Sequence, residues 1–307
     1  MAGCDNRAMA IILGDNQYGK AENRVVRIYR ETERHAIKDL NVSTSLRGPF
    51  APAHLEGDQS NVLPTDTQKN TVFAFAKSNG IGSGIEEYGL ALARHFVMDI
   101  EPVESARIEI EEFSWERAVV DGEEHDHTWL RTNQEVRTAA VTVDADSGQH
   151  VIGGLKGLTL LKSTGSEFHG FLEDEYTTLE PTTDRVMATS LNAQWRFGEL
   201  GLHWDAVYAI VKRELVKQFA TLHSLALQQT LWAMGRAVLE AVPEIVEIRL
   251  SAPNKHHFAV DLAPFGLENR GEVFIAADRP YGLIQATVLR DDAPPAPEAW
   301  RASAGLA

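Results

Sequence analysis

The sequence predicts an α+β protein of antiparallel sheets with helices on one face, built as two related units in tandem. Three observations predict it. Polar and apolar residues alternate over several stretches, as in half-buried strands. Segments with apolar residues at helical spacing interrupt those stretches in both halves. The order strands, helices, strands then occurs twice along 307 residues, a length that suits one large domain or two of ordinary size.

Residues 23–48, NRVVRIYRETERHAIKDLNVSTSLRG, alternate as the two strands of a hairpin. PTDTQKNTVFAFAK (64–77) opens on hydroxyl, acid, amide and amine side chains and turns apolar at Val72. That polar head is either an element's start signal or chemistry placed at its end. In GIEEYGLALARHFVMDI, Ile85, Tyr88, Leu92 and Phe96 fall on one face of an amphipathic helix. SARIEIEEFSWERAVV and EVRTAAVTVDA read as strands, DADSGQHV as a turn, and GGLKGLTLLKSTGSEFHGF as a further strand. LEDEYTTLEPTTDRVMATSLNAQWRF reads as a loop running into another strand.

Asp205 is placed to cap a long helix with Leu215, Phe219, Leu222 and Ala226 on its buried stripe. Ser224 starts a second helix, with Leu231, Met234 and Val238 inward and Pro243 at its end. EIVEIRLSAPNKHHFAVDL and EVFIAADRPYGLIQATVLR are the closing strands, and the Pro- and Ala-rich residues 293–307 read as a solvated tail. The Gly-containing turn near 145–150 divides the chain into units 1–147 and 148–292. The dipeptide Thr-Asp recurs at 65–66 and 183–184, before an apolar run in each half. It is a weaker sign of a repeat than the matched order of elements.

A net charge of −15 argues against nucleic acid as a partner, because no basic stripe exists to neutralise phosphates. No run approaches the ~18 apolar residues that span a bilayer, and the N-terminus lacks a secretory apolar core. The single cysteine, Cys4, excludes an internal disulfide and a Cys-based zinc cluster, and favours a reducing cytoplasm. Its place in a terminal tail argues against a nucleophilic role. The C-terminal AGLA is not a peroxisomal address.

Taken singly, the chemical signals sit close to their bland readings. NGIGSGIEE lacks phosphate-loop spacing and reads as a connector. His125, Asp126 and His127 lie in an acidic, turn-like stretch where solvated charge is the usual case and metal ligation the minority one. His256 and His257 point to opposite faces if their segment is a strand, so at most one belongs to a site. Lys20 in QYGK is ordinarily a solvated amine, Arg185 a structural ion pair, and Gln228 a helix cap.

Together they change character. QYGKAENRVVRI, TDTQKNTVFAFA, LKSTGSEFHGF, TTDRVMAT, HSLALQQTLWAMG, APNKHHFAVDL and DRPYGLIQATV resemble the urate oxidase (uricase) family, in the family's order, from about residue 17 to 290. The resemblance implies tandem tunnelling-fold (T-fold) domains, four of which chains form a barrel-walled homotetramer with active sites between subunits. It implies oxidation of urate by molecular oxygen to 5-hydroxyisourate and hydrogen peroxide, with no metal and no organic cofactor.

The same resemblance implies the site. Arg185 clamps one edge of the flat purine anion with its planar fork, Gln228 faces the opposite amide-like edge, and the Leu227 backbone N–H adds a hydrogen bond. Phe168 is the stacking platform. Thr65 and Asp66 reach the purine edge from a neighbouring subunit. Lys20 acts through Thr65 as the base, His256 completes the proton relay through water, and Asn254 holds oxygen and then water above the ring. On this reading Thr65 and Arg185 stand at comparable points of the two units, and Lys69 and Asn70 are left unexplained. The missing peroxisomal address suits a cytoplasmic, bacterial member. Two rivals remain: a zinc-dependent pterin or purine hydrolase using His125 and His127, and a purine-binding protein without the relay.

Overall fold

A computed structural model describes residues 10–131 and 134–301; Cys4 and residues 302–307 lie outside the described residues. Ten strands and five α-helices follow one another as β1 (Asn23–Tyr29), β2 (Ala36–Arg47), α1 (Ala51–Leu55), α2 (Thr65–Ser78), α3 (Ile85–Met98), β3 (Ser105–Phe113), β4 (Glu116–Val120), β5 (Glu123–Leu130), β6 (Val136–Asp144), β7 (Gly148–Lys162), β8 (Met187–Phe197), α4 (Trp204–Thr221), α5 (Leu227–Ala241), β9 (Ile245–Ala259) and β10 (Phe274–Leu289). Without the short α1 and the separate β4–β5 hairpin, the order is strand, strand, helix, helix, strand, strand, twice. No described helix is long and apolar enough to cross a membrane.

Eight strands form one antiparallel sheet in the order β1-β2-β3-β6-β7-β8-β9-β10, so the two halves join through the β6–β7 pair. Strand alternation sorts its side chains onto two faces. Leu40, Val42, Ile108, Val141, Leu191, Trp195, Leu250 and Val288 point to the helices and share one core with Tyr88, Leu92, Leu215, Phe219, Leu231 and Met234. The intervening residues, among them Asn41, Ser43, Glu109, Thr138, Gln194, Ser251 and Gln285, line a groove of about 800 Å³ on the helix-free face. All four predicted stripe residues of α3 are buried, each at 1% exposure or less.

The halves are also tied by charge. Arg137 on β6 is buried, donates to Glu86 on α3 at 2.7 Å and to Asp205 on α4, and lies 3.5 Å from Glu112. Asp205 is therefore not the α4 cap; His203 holds that position, and the carboxylate turns to Arg137 instead. α4 ends at Thr221, so Leu222 and Ala226 lie beyond it, and α5 begins at Leu227 rather than at Ser224. The acidic stretch around His125–His127 is strand β5 rather than a turn. Its partner strand β4 gives it a hairpin that charge composition alone concealed.

The tail differs from the solvated segment its composition predicts, as far as Arg301. Ala299 packs on Ala140 and Ile152 across the helix-free face, and its carbonyl accepts from Arg107 at 2.9 Å. The Trp300 ring lies 3.6 Å from the Arg249 guanidinium carbon. Proline-rich composition left these two apolar anchors out of account.

Candidate active site

The first group of site residues rests on β2 and α2. Tyr18 pairs with Leu46 through two backbone hydrogen bonds of 3.1 and 2.7 Å, which lay residues 18–20 along β2. Gly19 makes this approach possible, since a Cβ there would stand 1.7 Å from the Thr44 carbonyl oxygen. Lys20 follows, half-buried, with no ion pair among the described residues. Thr65 and Asp66 occupy the first turn of α2, where the polar head is a helix start whose Pro64 cap has no side chain to offer the free N–H groups.

Asp66 favours that position through the helix dipole. Lys69 and Asn70, three and four residues on, are its partners: Lys69 donates to one carboxylate oxygen and Asn70 to the other at 3.0 Å. The Lys69 hydrogen bond is the main reason that the Asp66 carboxyl titrates below its usual range, with a smaller contribution from the Lys20 charge. These two residues, without a role from sequence, orient a carboxylate.

The second group gathers around the residues between β7 and β8. β7 stops at Lys162, short of the predicted strand, and the chain loops outward to Met187. Phe168 and Thr182 exchange backbone hydrogen bonds of 2.8 and 2.9 Å, closing the loop on itself. The Phe168 ring stacks on Phe171 with centroids 5.1 Å apart. The Arg185 guanidinium carbon lies 5.2 Å from the Phe168 centroid. Asp184, the acid next to Arg185 in sequence, accepts instead from Thr164 Oγ1 and the Gly165 N–H, at 2.8 and 2.9 Å. Arg185 therefore has no salt bridge among the described residues, and its Nε is buried without a hydrogen-bond partner. Partial burial pushes the guanidinium pKa down, as expected for a cation partly desolvated with no counter-charge beside it.

This loop is fastened to the start of α5. The Glu167 N–H donates to the Ser224 carbonyl at 2.7 Å and the Ser224 N–H to that of Gly165 at 2.9 Å. Met187 Sδ receives the Ser166 and Ser224 hydroxyls at 3.5 and 3.7 Å, and the Glu167 carboxylate bridges His169 and His223. Leu227 and Gln228 are the first residues of α5, which has Ala226 at its cap, no side-chain cap and no acid in the first turn. Gln228 is not a cap. The uncapped N–H groups and the helix dipole make this end receptive to an anion.

Asn254, on β9, stands opposite Thr189 of β8 and Gly282 of β10. Its side chain makes no hydrogen bond among the described residues, and the buried Thr189 hydroxyl beside it is also unpartnered. His256 lies two residues further, on the same strand face, with its ring 5.7 Å from that of Phe258.

The segments of Phe168, Arg185, Leu227 and Gln228 are thus brought together by direct bonding, with Asn254 and His256 on β9, the strand beside β8. Lys20, Thr65 and Asp66 form a separate group. The anchoring strands β2 and β8 are four strand spacings apart in the sheet, roughly 19 Å at about 4.8 Å each. No hydrogen bond, ion pair or ring contact joins the two groups among the described residues. Sequence reasoning passed over Gln68 and Thr44, both buried beside the first group. The signal was available for Gln68: it is a polar residue on the stripe formed by positions 68, 72 and 76 of α2, whose other members are Val72 and Ala76.

Among the described residues, no three His, Cys, Asp or Glu side chains are arranged to hold a metal ion. His125 and His127 face each other edge to face at 4.5 Å, with His35 at 6.0 Å from His127, and Asp126 turns to Arg34.

The Uricase family pattern matches residues 16–142 and 151–285. The chain is 52% identical over 296 residues to the uricase of Arthrobacter globiformis, covering 96% of each chain. It is 36% identical over 279 residues to the uricase of Dictyostelium discoideum, covering 90% of this chain and 96% of that one. The crystal structure of the Arthrobacter globiformis uricase superposes with a TM-score of 0.89, covering 94% of this chain and 98% of that one. A urate oxidase from Bacillus sp. TB-90, only 24% identical, shares the fold with a TM-score of 0.77 over 90% of this chain and all of that one. This chain therefore belongs to the uricase family.

Proposed function

We propose that this chain oxidises urate with molecular oxygen and water to 5-hydroxyisourate and hydrogen peroxide, using neither metal nor organic cofactor. The observation that carries the reading is the Arg185 guanidinium, half-buried against Phe168 with its Nε unpartnered and no counter-charge among the described residues, on a loop tied to the uncapped start of α5. Such a constellation favours a flat anion, which urate is at neutral pH. Arg185 grips one edge, Gln228 and the Leu227 N–H the amide-like edge, and Phe168 the ring face.

The chemistry that follows needs a second proton removed, because the urate dianion gives up electrons more readily than the monoanion. Lys20 takes that proton through the Thr65 hydroxyl, and Asp66 adds a contact to the purine edge. Two electrons pass from the purine to oxygen, which leaves as hydrogen peroxide with two protons. Asn254 holds oxygen and then the water that adds to the ring, and His256 carries the relayed proton. The substrate is its own redox carrier.

The chain acts as two T-fold units, 1–147 and 148–292, in a homotetramer whose active sites lie between subunits. Two features support this. The Lys20–Thr65–Asp66 group and the Arg185 group do not touch within one chain, so each is half a site. β1 and β10 are the sheet edges among the described residues, and Phe258 on β9 and Ile275, Tyr281 and Leu283 on β10 expose half or more of their surface. A cytoplasmic setting fits the single cysteine.

Metal-free protein mixed with urate in air tests the proposal: urate absorbance should fall with matching release of peroxide. Folded, assembled protein that leaves urate untouched overturns it.

A further inference from the structure

We propose that Thr44 and Gln68 are positioning residues that lock Lys20 against the start of α2 and so set the reach of its amine to the Thr65 hydroxyl. The proposal rests on the reading of Lys20 and Thr65 as the proton-accepting pair. Both residues are polar and almost wholly buried, Gln68 at 0% and Thr44 at 3% exposure. Buried polar side chains are rare unless every group finds a partner, and here the partners all belong to the segments that carry the pair.

The Lys20 N–H donates to Thr44 Oγ1 at 3.0 Å, and the Thr44 N–H returns a bond to the Lys20 carbonyl at 2.9 Å. Thr44 Oγ1 in turn donates to Gln68 Oε1 at 2.6 Å. Gln68 sits one turn after Thr65, and its amide donates to the Leu63 carbonyl at 3.3 Å, just ahead of the helix. The Thr44 hydroxyl therefore accepts from the Lys20 backbone while donating to α2, and each bond polarises the other. Through Gln68 the tie reaches both sides of Pro64, the residue that precedes Thr65. Nothing else among the described residues hydrogen-bonds residue 20 to α2.

A hydrophobic pair would fill this space as well, so packing alone does not call for the two hydroxyl and amide groups. Their geometry instead fixes register between a strand extension and a helix, which packing leaves free to slide. A proton transfer over a hydrogen bond is the step most sensitive to such a slide.

The test compares Thr44→Val and Thr44→Ser, with Gln68→Met and Gln68→Glu as a second pair. The valine and methionine variants keep shape and lose the tie; kcat for urate should fall roughly tenfold to a hundredfold. Affinity for 8-azaxanthine, a flat triazolopyrimidine of urate's shape without the C8 carbonyl, should stay within about twofold, as most of the proposed binding contacts lie in the other half-site. Thr44→Ser should restore most of kcat, and the acid limb of the kcat profile should move in Thr44→Val but not in Thr44→Ser. Crystal structures of the variants report the tie independently of turnover, as a shift of Lys20 relative to Thr65. A lower Tm with unchanged kcat, pH profile and Lys20 position overturns the proposal and leaves a structural role only. Should wild type consume no urate, the oxidase reading falls, while a Lys20 that stays fixed in Thr44→Val still refutes the tie.

Discussion

The two halves of the chain share one order of elements and build their functional groups in opposite ways. In the first half, β1 and β2 are joined by residues 30–35, and Lys20, Thr65 and Asp66 sit on a strand extension and a helix start held by buried bonds. In the second half, the corresponding connection between β7 and β8 runs through residues 163–186, and it is this loop that supplies Phe168 and Arg185. On the proposed function, one half offers a hydrogen-bonded frame for moving a proton, and the other a loop, held at a few points, for gripping a flat ligand.

Breaking the first half at its proposed base gives the largest expected effect. Lys20→Met should lower kcat by roughly 10²–10⁴-fold, while binding of a non-oxidisable urate analogue, measured by calorimetry, stays nearly intact. Turnover near wild type removes Lys20 from the base role. Breaking the gripping half at its cation comes next. Arg185→Ala deletes charge-assisted hydrogen bonds worth about 1.5–3 kcal/mol, so KM should rise roughly tenfold to a hundredfold, with kcat less affected. An unchanged KM places the anion elsewhere.

The smallest effect sharpens the contrast between frame and loop. Asp184 holds the loop through Thr164 and Gly165, and the Thr164 hydroxyl, with the Gly165 N–H after it, keeps its carboxyl below the usual value of 3.8. A depressed folded-state pKa means that the tie is fully present above that value and is lost as pH falls through the lower folded one. Asp184→Ala should raise KM a few-fold and speed proteolytic cleavage within 163–186, as acid does for the wild type. Thermal stability of the frame should hardly move, because the carboxylate is solvent-exposed.

Much of this was legible in the sequence, for reasons that differ between residues. The helix at Ile85–Met98 was, because its four stripe residues carry their burial in their spacing. The repeated order of elements was too, but the Thr-Asp dipeptides offered in its support do not correspond. Thr65-Asp66 begins a helix, whereas Thr183-Asp184 lies in the β7–β8 loop, whose first-half counterpart is the short connection 30–35. Thr65 and Arg185 are therefore not at comparable points. Two shared residues lacked the information that several alternating strands held.

The candidate site divides in the same way. Residue types in the family-like segments singled out Arg185 and Gln228, and only the fold reveals that Asp184 turns away and leaves the guanidinium without a salt bridge among the described residues. Asn70 and Lys69 acquire a purpose once Thr65–Ser78 is known to be a helix, since three- and four-residue spacing then puts them beside Asp66. Glu167 and its two histidines depend on a contact between residues 167 and 223 that no local pattern encodes. The tail was misread because composition describes average solvation, whereas Ala299 and Trp300 act as individual anchors.

The β6–β7 pairing has a consequence for how the molecule comes apart. The sheet runs unbroken through it, one core lies beneath both halves, and Arg137 of the first half is charge-balanced in part by Asp205 of the second. Separating the halves would bare apolar surface on each side and strand a buried guanidinium with fewer counter-charges. The chain is thus duplicated in plan yet built on one sheet and one core. The two repeats should therefore unfold in one calorimetric transition, and two separate transitions would show that the shared core does not couple them.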